Sequence, residues 1–160
     1  MVRTVGEDDS ERKILEDIES FGWHCVHVMA EGDLVEYAFT VGLFHSFKHP
    51  ELIVFGLPKT IAQQILCVAA DAAKAGAPLD ISSHTEALLN NYTCCFAEVP
   101  REQYYEHVGY GRWYYQGNDF PMYQVIWPSK DGSFPWHAQA TESLRAAQPV
   151  IARPVGRESR

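Results

Sequence analysis

Tyr37-Ala38-Phe39-Thr40-Val41-Gly42-Leu43-Phe44-His45-Ser46-Phe47-Lys48-His49-Pro50-Glu51-Leu52-Ile53-Val54-Phe55-Gly56-Leu57 decides how the rest of the chain is read. The first arm alternates, with Val35, Tyr37, Phe39 and Val41 on one side and Glu36, Ala38 and Thr40 on the other, as in a half-buried strand. The second arm, Leu52 to Phe55, is apolar throughout, the composition of a strand covered on both faces. Between them lies a polar connector holding His45, His49, Pro50 and Glu51. The stretch predicts two strands that meet at a connector whose polar groups gather at one end of a sheet.

Working upstream, Asp8 and Glu11 have capping-box spacing, and Ile14, Leu15, Ile18 and Phe21 recur at helical intervals up to Gly22. Trp23 to Met29 is β-branched and aromatic, and the turn Glu31-Gly32-Asp33 joins it to Leu34–Leu43 as a hairpin. Downstream, Pro58 opens a helix whose stripe of Ile61, Ile65, Leu66, Ala69, Ala72 and Ala73 must lie on the sheet. From Ala77 to Asn91 only a short helical turn near Glu86–Leu89 is expected, and Tyr92–Val99 is a strand. Arg101–Val108 reads as a short helix. Gly109, Gly111 and Gly117 then break up Tyr110, Trp113, Tyr114 and Tyr115, which predicts an ordered loop packed by its rings. Met122–Trp127 is a strand, Pro128–Gly132 a turn and Thr141–Ala147 a last helix. The sum is an α+β fold: a mainly antiparallel sheet of about five or six strands with the long Pro58–Ala75 helix packed on it. One domain is expected over residues 1–160, with its core at about 8–147 and a flexible basic tail at 148–160.

A formal net charge of −8 excludes a phosphate-backbone binder, which needs a basic patch, so nucleic acid is not an expected partner. No apolar run is long enough to span a bilayer. The cysteines Cys25, Cys67, Cys94 and Cys95 follow no disulfide framework, and the acidic N-terminus is unlike a secretory signal. These features place the chain in a reducing cytoplasm with free thiols. Trp23–Met29 and Met122–Trp127, read as sheet edges, together with exposed aromatic surface, predict a homodimer.

Known catalytic patterns are absent. His24 and His27 leave a strand on opposite faces, and no HExxH, CxxC or acidic loop accompanies His45, His49 and Glu51, so no metal is expected. Cys94 and Cys95 lie in an apolar strand without nearby positive charge, and GxSxG, GxGxxG and P-loop patterns are missing. What remains is a binding site beside the connector: His45, His49 and Glu51 around a hollow, Thr40 at its base, and Tyr115, Trp127 or Trp136 as walls. The expected function is small-molecule or protein binding, with no reaction assigned.

Thr40-Val41-Gly42-Leu43, His49-Pro50-Glu51-Leu52, Phe55-Gly56-Leu57, Gln124-Val125-Ile126-Trp127-Pro128, Asp131-Gly132 and Phe134-Pro135-Trp136 occur in an order that resembles a bacterial domain-of-unknown-function family, number four-two-six-two. That resemblance implies no activity. The order of elements is also similar to the flavin-binding split barrels. Such a likeness implies a flavin-dependent oxidoreductase, with groups near Thr40 holding the flavin phosphate and aromatic rings covering the isoalloxazine. Lys48, Lys59 and Arg112 are the only positive charges at hand for that phosphate.

Overall fold

A computed structural model describes residues 1–153; the expected basic tail beyond Arg153 lies outside the described residues. Helix α1, Asp9–Phe21, starts at Asp8, whose carboxylate accepts from the Glu11 amide at 2.8 Å, and ends at Gly22 with φ 94°. Strands β1 (His24–Val28) and β2 (Tyr37–Val41) form the hairpin, and β3 (Glu51–Phe55) follows a connector that contains a five-residue helix, α2 (Leu43–Phe47). Helix α3 covers Lys59–Lys74, and β4 (Thr85–Leu89) and β5 (Tyr92–Glu98) make a second hairpin. A single 3₁₀ turn at Arg101–Gln103 leads into α4 (Tyr104–His107) and α5 (Gly109–Tyr115). Strand β6 (Met122–Ile126) and helix α6 (Glu142–Ala147) complete the described elements.

The six strands form one sheet in the order β1-β2-β3-β6-β5-β4. Every neighbouring pair is antiparallel except β3 and β6, which run parallel. Two three-strand meanders thus stand back to back across a central parallel pair. Each meander follows a helix, and the two helices lie on opposite faces: Ile14 of α1 packs with Phe39 and Ile53, whereas α3 packs on Ala38, Leu52 and Val54. A two-fold axis in the sheet plane between β3 and β6 would relate two such halves. Closure would need β1 to pair with β4, and these sit at opposite edges, so the sheet is open and not a barrel.

Several local expectations change in this setting. Met122–Trp127, expected at an edge, supplies the central β6, with Gln124, Val125 and Ile126 fully buried. Glu86–Leu89 is strand rather than helical turn because the two-residue turn Asn90-Asn91, with Asn91 at φ 68°, folds β4 back onto β5. Gly109–Tyr115 is a helix rather than a loop, since Tyr114 and Val108 bury themselves in the core and outweigh the weak helix propensity of its glycines. The start of the basic tail is fastened down. Gln124 donates to the Pro149 carbonyl at 2.9 Å and accepts from the amides of Ile151 and Ala152 at 3.0 and 3.2 Å. Gln148 brackets Trp127 in the same way, accepting from its amide at 2.9 Å and donating to its carbonyl at 2.7 Å.

The α3 stripe is rotated slightly from the expected one: Ala62, Ile65, Leu66, Ala69, Ala70 and Ala73 are buried, whereas Ile61 is 37% exposed. Ile61 sits in the first turn of α3, next to the fully buried Ala62. Ile65 has no exposed surface. Ile65→Ala should lower stability by about 2–5 kcal/mol in urea denaturation, the range for large-to-small core changes, and a loss below about 0.5 kcal/mol would disprove this packing.

Candidate functional site

The connector begins at Gly42, which has φ 107°; a Cβ there would lie 2.9 Å from the Ile18 side chain and 3.0 Å from the Gly22 carbonyl. No side chain of α2's own cap satisfies its first amides. Glu51, the first residue of β3, does so from across the connector. Its carboxylate accepts from the amides of Gly42 at 3.1 Å, Leu43 at 3.3 Å and Phe44 at 3.1 Å, from the Thr40 hydroxyl at 2.6 Å, and from the Tyr115 phenol.

Glu51 has no exposed surface. Burial pushes its pKa up, and the Thr40 and Tyr115 hydroxyls and the Phe44 and Gly42 amides pull against that rise. The hydrogen-bond directions identify the form that fits. Thr40 Oγ1 already accepts from the Leu52 amide at 2.9 Å, and Tyr115 Oη accepts from the His45 amide at 3.1 Å. Each hydroxyl hydrogen is therefore left to point at Glu51, which must receive it as a carboxylate. Burial and the Glu51 charge both raise the Tyr115 pKa, so the phenol stays a donor.

Of the residues expected around one hollow, the structure joins Thr40, Glu51, Tyr115 and the backbone of His45. The His45 ring is exposed and meets Tyr114 edge-on at 6.0 Å. His49 is buried, and its Nδ1 donates to the Pro50 carbonyl at 2.7 Å, which leaves Nε2 without its hydrogen and, among the described residues, without a partner. Burial lowers the His49 pKa, and the Pro50 contact opposes this. Trp127 and Trp136 lie away from the connector. The connector meets β3 at Glu51, paired with Met122, whereas Trp127 Nε1 donates to the Phe55 carbonyl at 2.8 Å, at the other end of the same parallel pair. Trp136 stacks on Phe134 at 4.9 Å beside β5 and β6. Nor do these groups suit a flavin phosphate, because the Thr40 hydroxyl is buried and committed to a carboxylate.

A second feature escapes the strand-and-connector reading. On the α1 face, an open groove of about 690 Å³ runs between β1–β2 and α4–α5. Tyr37, Phe39, Tyr110 and Trp113 form its apolar surface, with Tyr105 on the rim, 76% exposed. The Tyr37 hydroxyl is spent on the His107 carbonyl at 2.8 Å, which fixes that ring. Glu11, Glu31 and Glu106 line the same groove, and among the described residues no lysine or arginine does. The signal in the sequence was Tyr110 with Trp113, three apart: read as helix rather than loop, they share a face.

A family model described as a domain of unknown function, DUF4262, matches residues 17–141. The chain belongs to the DUF4262 family. The match contains the whole sheet, Glu51 with its donors, and all the groove residues named above except Glu11. No curated protein and no solved structure gave a match. Among the described residues of this DUF4262 chain, no three His, Cys, Asp or Glu side chains gather as a metal site.

Two predictions follow from the connector of this DUF4262 chain. Glu51→Gln points an NH₂ group at surrounding donors and should cost at least about 2 kcal/mol, while Tyr115→Phe removes one charge-assisted bond and should cost about 1.5–3 kcal/mol. Denaturation midpoints unchanged in both variants would contradict the capping role. For His49 the folded pKa lies below the unfolded one, so below the ordinary imidazole range the unfolded chain binds the proton more readily and stability is lost as pH falls. Replacing His49 by Asn should flatten the stability profile between about pH 7 and 5 relative to the parent. An unaltered profile would show that His49 is not held neutral.

Proposed function

We propose that this domain is a ligand-binding module that holds an organic cation of the alkylated-ammonium class in the groove beside α5. The supporting observation is the combination in one groove of aromatic rings with three glutamates and, among the described residues, no lysine or arginine, the imidazoles of His27 and His107 being its only other titratable nitrogens. Ring faces attract cations, by about 0.5–2 kcal/mol each according to desolvation, and carboxylates at the rim add a longer-range pull. Two of these rings already carry cations: Arg3 lies 5.9 Å from the Trp113 ring centre and Arg112 lies 5.2 Å from that of Tyr105. Arg3 and Arg112 line a neighbouring hollow that shares Trp113 as a wall, so the groove side of that ring is left for a ligand. Alkylation matters because the groove surface offers ring carbon where a primary ammonium would need acceptors; the Tyr37 hydroxyl is taken and the glutamates Glu31 and Glu106 are exposed.

The groove volume lies within the usual range of small-ligand sites, about 300–1,000 Å³. The connector has a different part: by tying Tyr115 to Glu51 it holds α5, and with it Tyr110 and Trp113, against the sheet. Titration calorimetry with choline and with its neutral isostere 3,3-dimethylbutan-1-ol tests the reading. Choline should bind, the isostere should bind at least about tenfold more weakly, and Trp113→Ala should abolish the difference. Equal binding of the two compounds, or of neither, would refute it.

A further inference from the structure

The outer edge of β1 belongs to no pair. All five of its residues align with β2 without interruption, from His24 opposite Val41 to Val28 opposite Tyr37, and among the described residues no other strand joins it. The opposite edge, β4, is protected by an irregular register between Thr85 and Leu89. Strand β1 has no such bulge, and no lysine or proline. Large apolar side chains stand exposed just before and just after it, Phe21 at 57% and Met29 at 77%.

Both faces beside this edge are hollow. On the α1 face lies the acidic groove, reached by Val26 and Val28. On the α3 face a hollow of about 570 Å³ runs along the helix, with Lys59, Gln63, Cys67, Asp71 and Lys74 spaced to form one stripe along it. Lys13 and Asp17 at its side neutralise each other at 3.0 Å; Lys59 and Lys74 form no ion pair among the described residues, and with Asp71 between them in the stripe they leave this hollow a net positive charge. Lys59 also acts on the Cys25 thiol, which places its charge beside the middle of β1.

We propose that β1 takes up an extended segment of a partner protein as a seventh strand, with basic side chains directed to the groove and acidic ones to the α3 side. Side chains alternate along a strand, so consecutive residues of an added strand enter the two hollows in turn. The glutamates on one side and Lys59 with Lys74 on the other then fix which residue type goes where. A second copy of this chain is the poorer occupant: β1 paired antiparallel with β1, about a two-fold axis normal to the sheet, would bring the glutamate-lined groove of each copy next to the other. For its groove half, the proposal rests on the cation reading above.

Two octapeptides of identical composition test it, one strictly alternating Arg and Glu, the other ordered Arg-Arg-Glu-Glu twice. The alternating peptide should slow amide hydrogen exchange within residues 24–28, bind at least about tenfold more tightly than its isomer, and lose binding when alternate backbone amides are N-methylated. Lys59→Glu should weaken that peptide and leave choline binding unchanged. Equal binding of the isomers, or absence of protection in β1, overturns the proposal. If choline binds normally in that experiment, the cation reading survives alone. Protection of β1 without peptide, together with a dimer in light scattering, would assign the edge to a second copy and equally overturn it.

Discussion

A buried carboxylate with no cation beside it among the described residues governs this structure. Glu51 is fully enclosed, and an ion in such a place is tolerated only when its lone pairs are filled. The donors come from separate parts of the chain: Thr40 at the end of β2, three amides at the start of α2, and Tyr115 at the end of α5. Because each donor must be in place for the ion to remain, the hairpin, the connector and the second-half helices are positioned together. The groove follows from the same tie. If Tyr115 is fixed at the C-terminal end of α5, then Tyr110 and Trp113, on another side of that helix, are fixed opposite Tyr37 and Phe39.

The parallel pairing of β3 with β6 has an equally wide effect, since it decides which groups share an end of the sheet. It places Glu51 next to Met122 and sends Trp127 to the far end, where its indole bonds to Phe55 and its backbone to Gln148. The buried polar side chains of the second half, Gln124 and Gln148, perform there a task like that of Glu51. Each satisfies backbone groups of a segment that has no regular partner. Neutral amides serve at that end because the groups to be satisfied include both carbonyls and amides, whereas the start of α2 presents only amides.

Local patterns carried much of the fold. The alternation at Tyr37–Val41, the apolar run at Leu52–Phe55 and the Asp8 and Gly22 caps reflect forces within one element and appear where their local pattern puts them, while the α3 stripe keeps Ile65, Leu66, Ala69 and Ala73 but takes Ala62 and Ala70 in place of Ile61 and Ala72. Failures occurred where the deciding partner is distant in sequence. Gly109–Tyr115 becomes helical through the burial of Tyr114, β4 becomes a strand through β5, and β6 reaches the centre through β3. The candidate site divides in the same way. Thr40, Glu51 and Tyr115 were expected around one hollow, and the structure brings their side chains together at a buried carboxylate. Trp127 and Trp136 could not be placed without the parallel pairing, which leaves no mark in local sequence. Glu51 itself carried a readable sign: an acid opening a fully apolar strand must be buried with partners, although backbone amides, its main donors, have no sequence signature.

The two sides of β1 differ in charge although the chain as a whole carries −8, and this bears on what sets register at an open edge. Backbone hydrogen bonds to an added strand are satisfied almost equally well in adjacent registers, so they hold a partner without selecting its alignment. A slip of one residue, however, exchanges every side chain between faces. Basic residues would leave Glu11, Glu31 and Glu106 and meet Lys59 and Lys74, while acidic residues would make the opposite exchange. Favourable contacts become repulsive on both faces at once. With a partner strand added, discrimination at this edge would therefore arise from side-chain electrostatics and affinity from the backbone, and rising salt should erode the first well before the second.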